Sequence, residues 1–131
     1  MLLHVEDDAA TSYLLSVALD EIGLAVELHH VSDGDSALRF LHHQAEYASS
    51  PSPDLILLDI NLPKKSGMDV LSEIHYSPAL CQIPVVVFTS SSLTREKTQA
   101  LSLGAQEFIT KPANFDAFLG AVRSACSILA T

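Results

Sequence analysis

The chain has 131 residues, 48% apolar and 18% charged, with 16 Asp plus Glu against 7 Lys plus Arg and a formal net charge of -9. That length and apolar share suit one domain, residues 1–131, able to bury its own core, and they exclude a collagenous, low-complexity or disordered polymer. So acidic a chain has almost nothing with which to grip a phosphate backbone, which excludes a nucleic-acid binder working through a basic face.

No apolar run approaches the ~20 residues of a membrane span, and acids follow the N-terminus too closely for a signal peptide. A cytoplasmic location with no membrane partner is therefore expected. Cys81 and Cys126 are too few for a disulfide scaffold and are spaced unlike a zinc knuckle. Two buried thiols in a reducing compartment are the expectation.

Residues 2–5 form an apolar run ending in Glu6, Asp7 and Asp8, and read as a first strand. A helix over about 9–22 follows, capped by Asp8, with Ala10, Leu14, Val17 and Ala18 on one side and Gly23 as its C′ stop. A second strand is expected at 25–30, and a second helix from Asp33 or Gly34 through Ala37, Leu38 and Leu41. The polar, Pro-containing stretch 44–53 reads as a surface connection, not a domain boundary. Strand 55–58, a helix after Gly67 with Leu71 and Ile74, strand 85–88, a helix over about 93–103 stopped by Gly104, and strand 107–109 come next. The last helix, behind Asn114 as N-cap, places Phe115, Phe118, Leu119, Val122, Cys126 and Leu129 on one face. The order is (βα)5. Strands rich in Leu, Ile and Val with little alternation point to a parallel sheet buried on both faces, hence a doubly wound α/β sandwich.

Ligands of such sheets collect beyond the carboxyl ends of the strands. There the chain places Glu6, Asp7 and Asp8 after the first strand, and Asp59 then Asn61 after the third. Thr89 and Ser90 close the fourth, and Thr110, Lys111 and Pro112 the fifth. Carboxylates crowded on one edge repel one another unless a cation sits among them, and a hard, oxygen-seeking divalent ion such as Mg²⁺ suits them. Asp59 in such a cleft can attack a phosphoryl group to give an aspartyl phosphate. Lys111 supplies a positive charge to a phosphoryl oxygen, and the Thr89 hydroxyl bonds another oxygen, a contact expected only in the modified state. Asp8 reads as a cap instead of a ligand. The pairs His29-His30 and His42-His43 cannot chelate together, because adjacent residues diverge on a strand or helix. No Gly-x-Ser-x-Gly elbow surrounds the hydroxyl run 89–92, which argues against an acyl hydrolase.

The segments Val5-Glu6-Asp7-Asp8, Leu57-Leu58-Asp59-Ile60-Asn61-Leu62-Pro63, Val86-Val87-Phe88-Thr89-Ser90 and Phe108-Ile109-Thr110-Lys111-Pro112 resemble the receiver domain of two-component response regulators. The resemblance implies a flavodoxin-like fold with strand order 2-1-3-4-5, the order of a bacterial chemotaxis receiver. It makes Asp59 the phosphoacceptor and Asp7, Asp59 and the main-chain carbonyl of Asn61 the Mg²⁺ ligands, with Glu6 acting through water. Thr89 matches the switch hydroxyl, Lys111 the paired lysine, and Phe108, where Tyr is more frequent, the aromatic that reports phosphorylation. A cis Lys111-Pro112 bond is implied as well. Ser91 and Asn61 are expected to tune the phosphoryl lifetime.

A narrower resemblance, to stand-alone receivers paired with bacterial and cyanobacterial phytochromes, rests on Leu62-Pro63-Lys64-Lys65-Ser66-Gly67, the 44–53 loop and the 78–84 connection. It implies a phytochrome-type sensor histidine kinase as donor and a homodimer through helix 4, strand 5 and helix 5. With no output domain after Thr131, signalling to a downstream protein target would run by contact. Such a module is not an enzyme on a metabolite; it catalyses only its own phosphotransfer and autodephosphorylation. A haloacid dehalogenase-type phosphatase is the main alternative, but it expects an acid two residues after the nucleophile, where Asn61 stands. A flavin-binding sheet would need a phosphate-cradling loop where the chain has three acids. A degenerate receiver acting only as a binding module conflicts with the intact Glu6, Asp7, Asp59, Thr89 and Lys111.

Overall fold

The computed structural model describes residues 1–130. Five strands alternate with five helices: β1 (Leu2–Val5), α1 (Ala9–Glu21), β2 (Leu28–Val31), α2 (Gly34–Leu41), β3 (Leu55–Leu58), α3 (Gly67–Tyr76), β4 (Val85–Thr89), α4 (Thr94–Ser102), β5 (Glu107–Thr110) and α5 (Phe115–Ala125). Two 3₁₀ segments, Ala45–Tyr47 and Cys126–Ala130, complete the order. All pairings are parallel, in the order β2-β1-β3-β4-β5. The strand order implied by the resemblance is thus the observed one.

Every residue of β1, β3 and β4 is buried, because helices cover both faces of the sheet. Leu3, Val5, Ile56, Leu58, Val85 and Val87 pack with α2 and α3 and with Ala100 of α4. Their alternates Leu2, Leu55, Leu57, Val86 and Phe88 pack with Leu15, Ala18 and Leu19 of α1 and Phe118, Val122 and Ala125 of α5. A period-2 strand feeding two apolar layers explains why the runs look continuous in sequence. The helix starts follow the expected chemistry, with Asp8, Asp33 and Asn114 each accepting a bond from a main-chain N–H of the following turn. Gly23 and Gly104 stand at the expected stops with φ of 72° and 92°.

The differences have local causes. β2 begins at Leu28, three residues later than expected, because this edge strand pairs only with β1 and Leu2 lies opposite Leu28. The buried side of α1 is Thr11, Leu15, Ala18 and Leu19, whereas Leu14 is 39% exposed and Ala10 is exposed. The helix is apolar enough all round that two stripes of helical spacing compete, and packing against α5 selects one. α5 ends at Ala125, so Cys126 and Leu129 belong to the 3₁₀ segment, and Phe115 is partly exposed. Only Cys126 is buried, its thiol pushed up to about 11 by burial; Cys81 lies exposed in the α3–β4 connection.

One close approach ties the fold to the strand ends. A Cβ on Gly67 would lie 2.1 Å from the main-chain oxygen of Asp59, so the start of α3 sits directly on the backbone after β3. Gly67→Ala should therefore lower stability by about 1–3 kcal/mol or more. Gly120→Ala, in an exposed helix interior with nothing within 4 Å of the new Cβ, should raise it by about 0.5–1 kcal/mol. Urea melts of the two variants check both signs. A thiol reagent at pH 8 should modify Cys81 in the folded protein and reach Cys126 only after unfolding, as read by mass spectrometry.

Candidate functional site

The parallel register brings the carboxyl ends of β1, β3, β4 and β5 to one edge of the sheet. Val5 lies opposite Leu58 and Leu58 opposite Val87, and Thr89 lies opposite Thr110. The ladder continues past the strands, with Glu6 N–H donating to Val31 O (3.0 Å), Asp59 N–H to Val5 O (3.0 Å) and Lys111 N–H to Thr89 O (2.7 Å). Side chains that follow the strands are thereby held by main-chain bonds.

Asp59 is the point of convergence. Its Oδ1 accepts from the Thr89 hydroxyl at 2.9 Å and from the Asn61 N–H at 3.0 Å, and its Oδ2 lies 3.3 Å from Lys111 Nζ. Lys111 also pairs with the Glu6 carboxylate, whose Oε2 accepts from the Asp8 N–H at 3.3 Å. Glu6 and Thr89 are fully buried and Asp59 is 5% exposed, while Asp7 faces solvent. Asp8 caps α1, accepting from Ala10 N–H and the Thr11 hydroxyl, as its position before the helix implied.

The charges explain how so buried a cluster holds together. Burial, reinforced by the neighbouring Asp59, raises Glu6 to about 7 against the pull of Lys111. Burial also works against an ionised Asp59, yet the Asn61 N–H, the bond with Glu6, the Lys111 charge and the Thr89 hydroxyl together hold its carboxyl below the usual range. Lys111 is likewise desolvated, and the bond it donates to Glu6 and the charge of Asp59 overcome that, raising its pKa. Two buried carboxyl groups thus share one ammonium. Glu6, Asp7 and Asp59 each offer a carboxylate oxygen, and these atoms lie within 4.8 Å of one another. That hard, all-oxygen donor set with one exposed member fits a divalent cation that keeps part of its water.

Thr89 meets the carboxylate directly: its fully buried hydroxyl donates to Asp59, an ionised acceptor that makes the bond one of the stronger kind. Among the described residues no peptide bond is cis, so Lys111-Pro112 is trans, contrary to the implied isomer. Trans is the intrinsically favoured form, and from it Lys111 Nζ reaches both Glu6 and Asp59. Phe108 is half-buried and packs against the α2–α3 side of the core. Asn61 enters the site through its N–H.

Two histidines were missed by attention to adjacent pairs. His4 and His30 lie opposite each other on β1 and β2, with ring centroids 5.7 Å apart. His30 Nε2 donates to the main-chain oxygen of Glu6 at 2.6 Å. His4 is buried among the β1 neighbours and pushed down to about 3 by burial, then by the His30 and Lys111 charges. The usable signal was the period of two, which sets His4 on the same side of β1 as Glu6.

A family model described as the response regulator receiver domain matches residues 2–123. The chain belongs to the response regulator receiver family. It is 43% identical over 114 residues to response regulator Rcp1 of Synechocystis sp., a match covering 87% of this chain and 78% of that protein. The structure is similar to the Mn(2+)-bound form of Rcp1, with TM-score 0.90 and 40% identity over 96% of this chain and 91% of that one. It is also similar to the phosphorylated cyanobacterial phytochrome response regulator RcpA, with TM-score 0.92 and 37% identity over 99% and 93% of the two chains. That membership places the chain among the receivers of two-component signal transduction. No helix among the described residues is long and apolar enough to cross a membrane.

Because Asp7 is exposed, Asp7→Ala should leave the melting temperature of the receiver nearly unchanged while weakening Mn²⁺ or Mg²⁺ binding about tenfold or more, since affinity follows the number of charged ligands. Isothermal titration calorimetry of the two proteins reads this directly.

Proposed function

We propose that Asp59 accepts the phosphoryl group from a phytochrome-type histidine kinase. The observation that carries this is the convergence of Thr89, Asn61 and Lys111 on the two oxygens of that one carboxylate. Glu6, Asp7, Asp59 and the main-chain carbonyl of Asn61 would hold Mg²⁺, Glu6 through water; when bound, the ion neutralises charge on the phosphoryl oxygens. Burial keeps competing water away from Asp59 and leaves its carboxylate oxygen free to attack phosphorus. As the new P–O bond forms, the P–N bond to the donor imidazole breaks, and its electron pair leaves with the ring nitrogen. The imidazole departs neutral when its other nitrogen carries a proton.

Lys111 then pairs with one phosphoryl oxygen and the Thr89 hydroxyl donates to another. Autodephosphorylation reverses the state when water attacks phosphorus, the P–O bond to Asp59 breaks, and carboxylate and inorganic phosphate result. Phe108 of β5, packed on the core, reports the change to the α4–β5–α5 face, where a second copy or a downstream protein docks. The similarity to RcpA, which is named as a phytochrome response regulator, supports that class of donor. In this reading the chain works in the cytoplasm as one receiver unit, 1–131.

Incubation with Mg²⁺ and acetyl phosphate, followed by intact-mass spectrometry, tests the assignment. One acid-stable, base-labile phosphoryl group is expected on the wild type and none on Asp59→Asn. An equal gain on the variant would place the acceptor elsewhere.

A further inference from the structure

The β4–α4 connection contains a polar node at Ser91 that phosphoryl transfer at Asp59 does not by itself require. Its N–H donates to Thr89 Oγ1 at 3.3 Å and its carbonyl accepts from the Thr110 hydroxyl at 2.8 Å. Its own hydroxyl accepts from Leu93 N–H at 3.3 Å and donates to the Glu96 carboxylate. Thr89 in turn spends its hydroxyl proton on Asp59 Oδ1. A hydroxyl has one proton and two lone pairs, so the Ser91 N–H, by occupying a lone pair, favours the rotamer that aims the proton at Asp59. An unbroken series of hydrogen bonds therefore joins Asp59 to Glu96 in the first turn of α4.

Helix α4 has little else to locate it. Ala100 is its one buried residue among those described, and Leu93, at the N-cap position, makes no side-chain capping bond. Glu96 is half-buried at a helix N-terminus, where a carboxylate is favoured, and a hydroxyl bond to a charged acceptor is of the stronger kind. The Thr110 bond fastens the same node to the residue before Lys111. Both groups that flank the Asp59 carboxylate, Thr89 and Lys111, are thus registered through Ser91.

We propose that Glu96 is a positioning residue for phosphoryl transfer: through Ser91 it holds the Thr89 hydroxyl on Asp59, so the acceptor site is formed before the phosphoryl group arrives. The inference rests on Asp59 being the acceptor. It differs from a general role of the loop in naming the α4 carboxylate as the group that sets the Thr89 rotamer.

Two readouts test it: the initial rate of phosphorylation by acetyl phosphate with Mg²⁺, followed by intact mass, and hydrogen exchange of the Ser91 amide with neither metal nor donor present. Glu96→Ala should phosphorylate roughly three- to tenfold more slowly, the range expected for losing one ordinary hydrogen bond, here the Ser91 N–H on the Thr89 hydroxyl, and its Ser91 amide should exchange faster. Glu96→Gln, which keeps a carbonyl oxygen for the Ser91 hydroxyl, should recover most of the rate. In a Thr89→Ala background, removing Glu96 should slow the reaction no further. A wild-type rate or unchanged Ser91 exchange in Glu96→Ala overturns the inference and leaves the Asp59 assignment standing. A further loss in the Thr89→Ala background also overturns it, because Glu96 then acts by another route. Wild-type protein that takes up no phosphoryl group overturns the Asp59 assignment, and the role of Glu96 with it.

Discussion

Everything at the carboxyl edge of the sheet depends on the pairing of Lys111 with two buried acids, Glu6 and Asp59. Removing three such groups from water is costly, and one ammonium cannot fully satisfy the acids around it. The protein answers with fixed dipoles: the N–H groups of Asn61 and Asp8 and the hydroxyl of Thr89 all point at carboxylate oxygens. The remaining negative charge of Glu6, Asp7 and Asp59 is what gives the edge its appetite for cations.

The rest of the fold serves to hold that edge in register. The ends of β1, β3, β4 and β5 fall within two residues of one another in register, and their main-chain ladder runs on into Glu6, Asp59 and Lys111. Gly67 lets α3 begin against the Asp59 backbone, so Asp59 cannot drift along its strand. Two apolar layers, one under α1 and α5 and the other under α2 and α3, keep the sheet from sliding. Rigidity of the acceptor and looseness of α4 are therefore properties of different parts of one sandwich.

Much of this was legible in the residues. Apolar runs flanked by turn chemistry located the strands, Asp8 and Asn114 announced helix starts, and the residue types after each run marked the reactive edge. What escaped had to do with neighbours distant in sequence. The true buried side of α1 depends on α5, and the start of β2 on where β1 begins. Leu14 against Leu15, or residue 25 against 28, cannot be decided from either segment alone. His4 was overlooked because a single histidine in an apolar run looks like core, and its partner His30 is 26 positions away. The trans Lys111-Pro112 bond is a matter of isomer, which motif matching carries over from other proteins without knowing the local packing.

The thin attachment of α4 has an evolutionary consequence. A helix that gives the core only Ala100 is under little obligation to the fold, so apart from Glu96 its outward side chains are free to drift. New binding specificities can be sampled there without risking either folding or the acceptor chemistry. One reactive edge can accordingly be kept through long divergence while the face that listeners recognise is rewritten again and again.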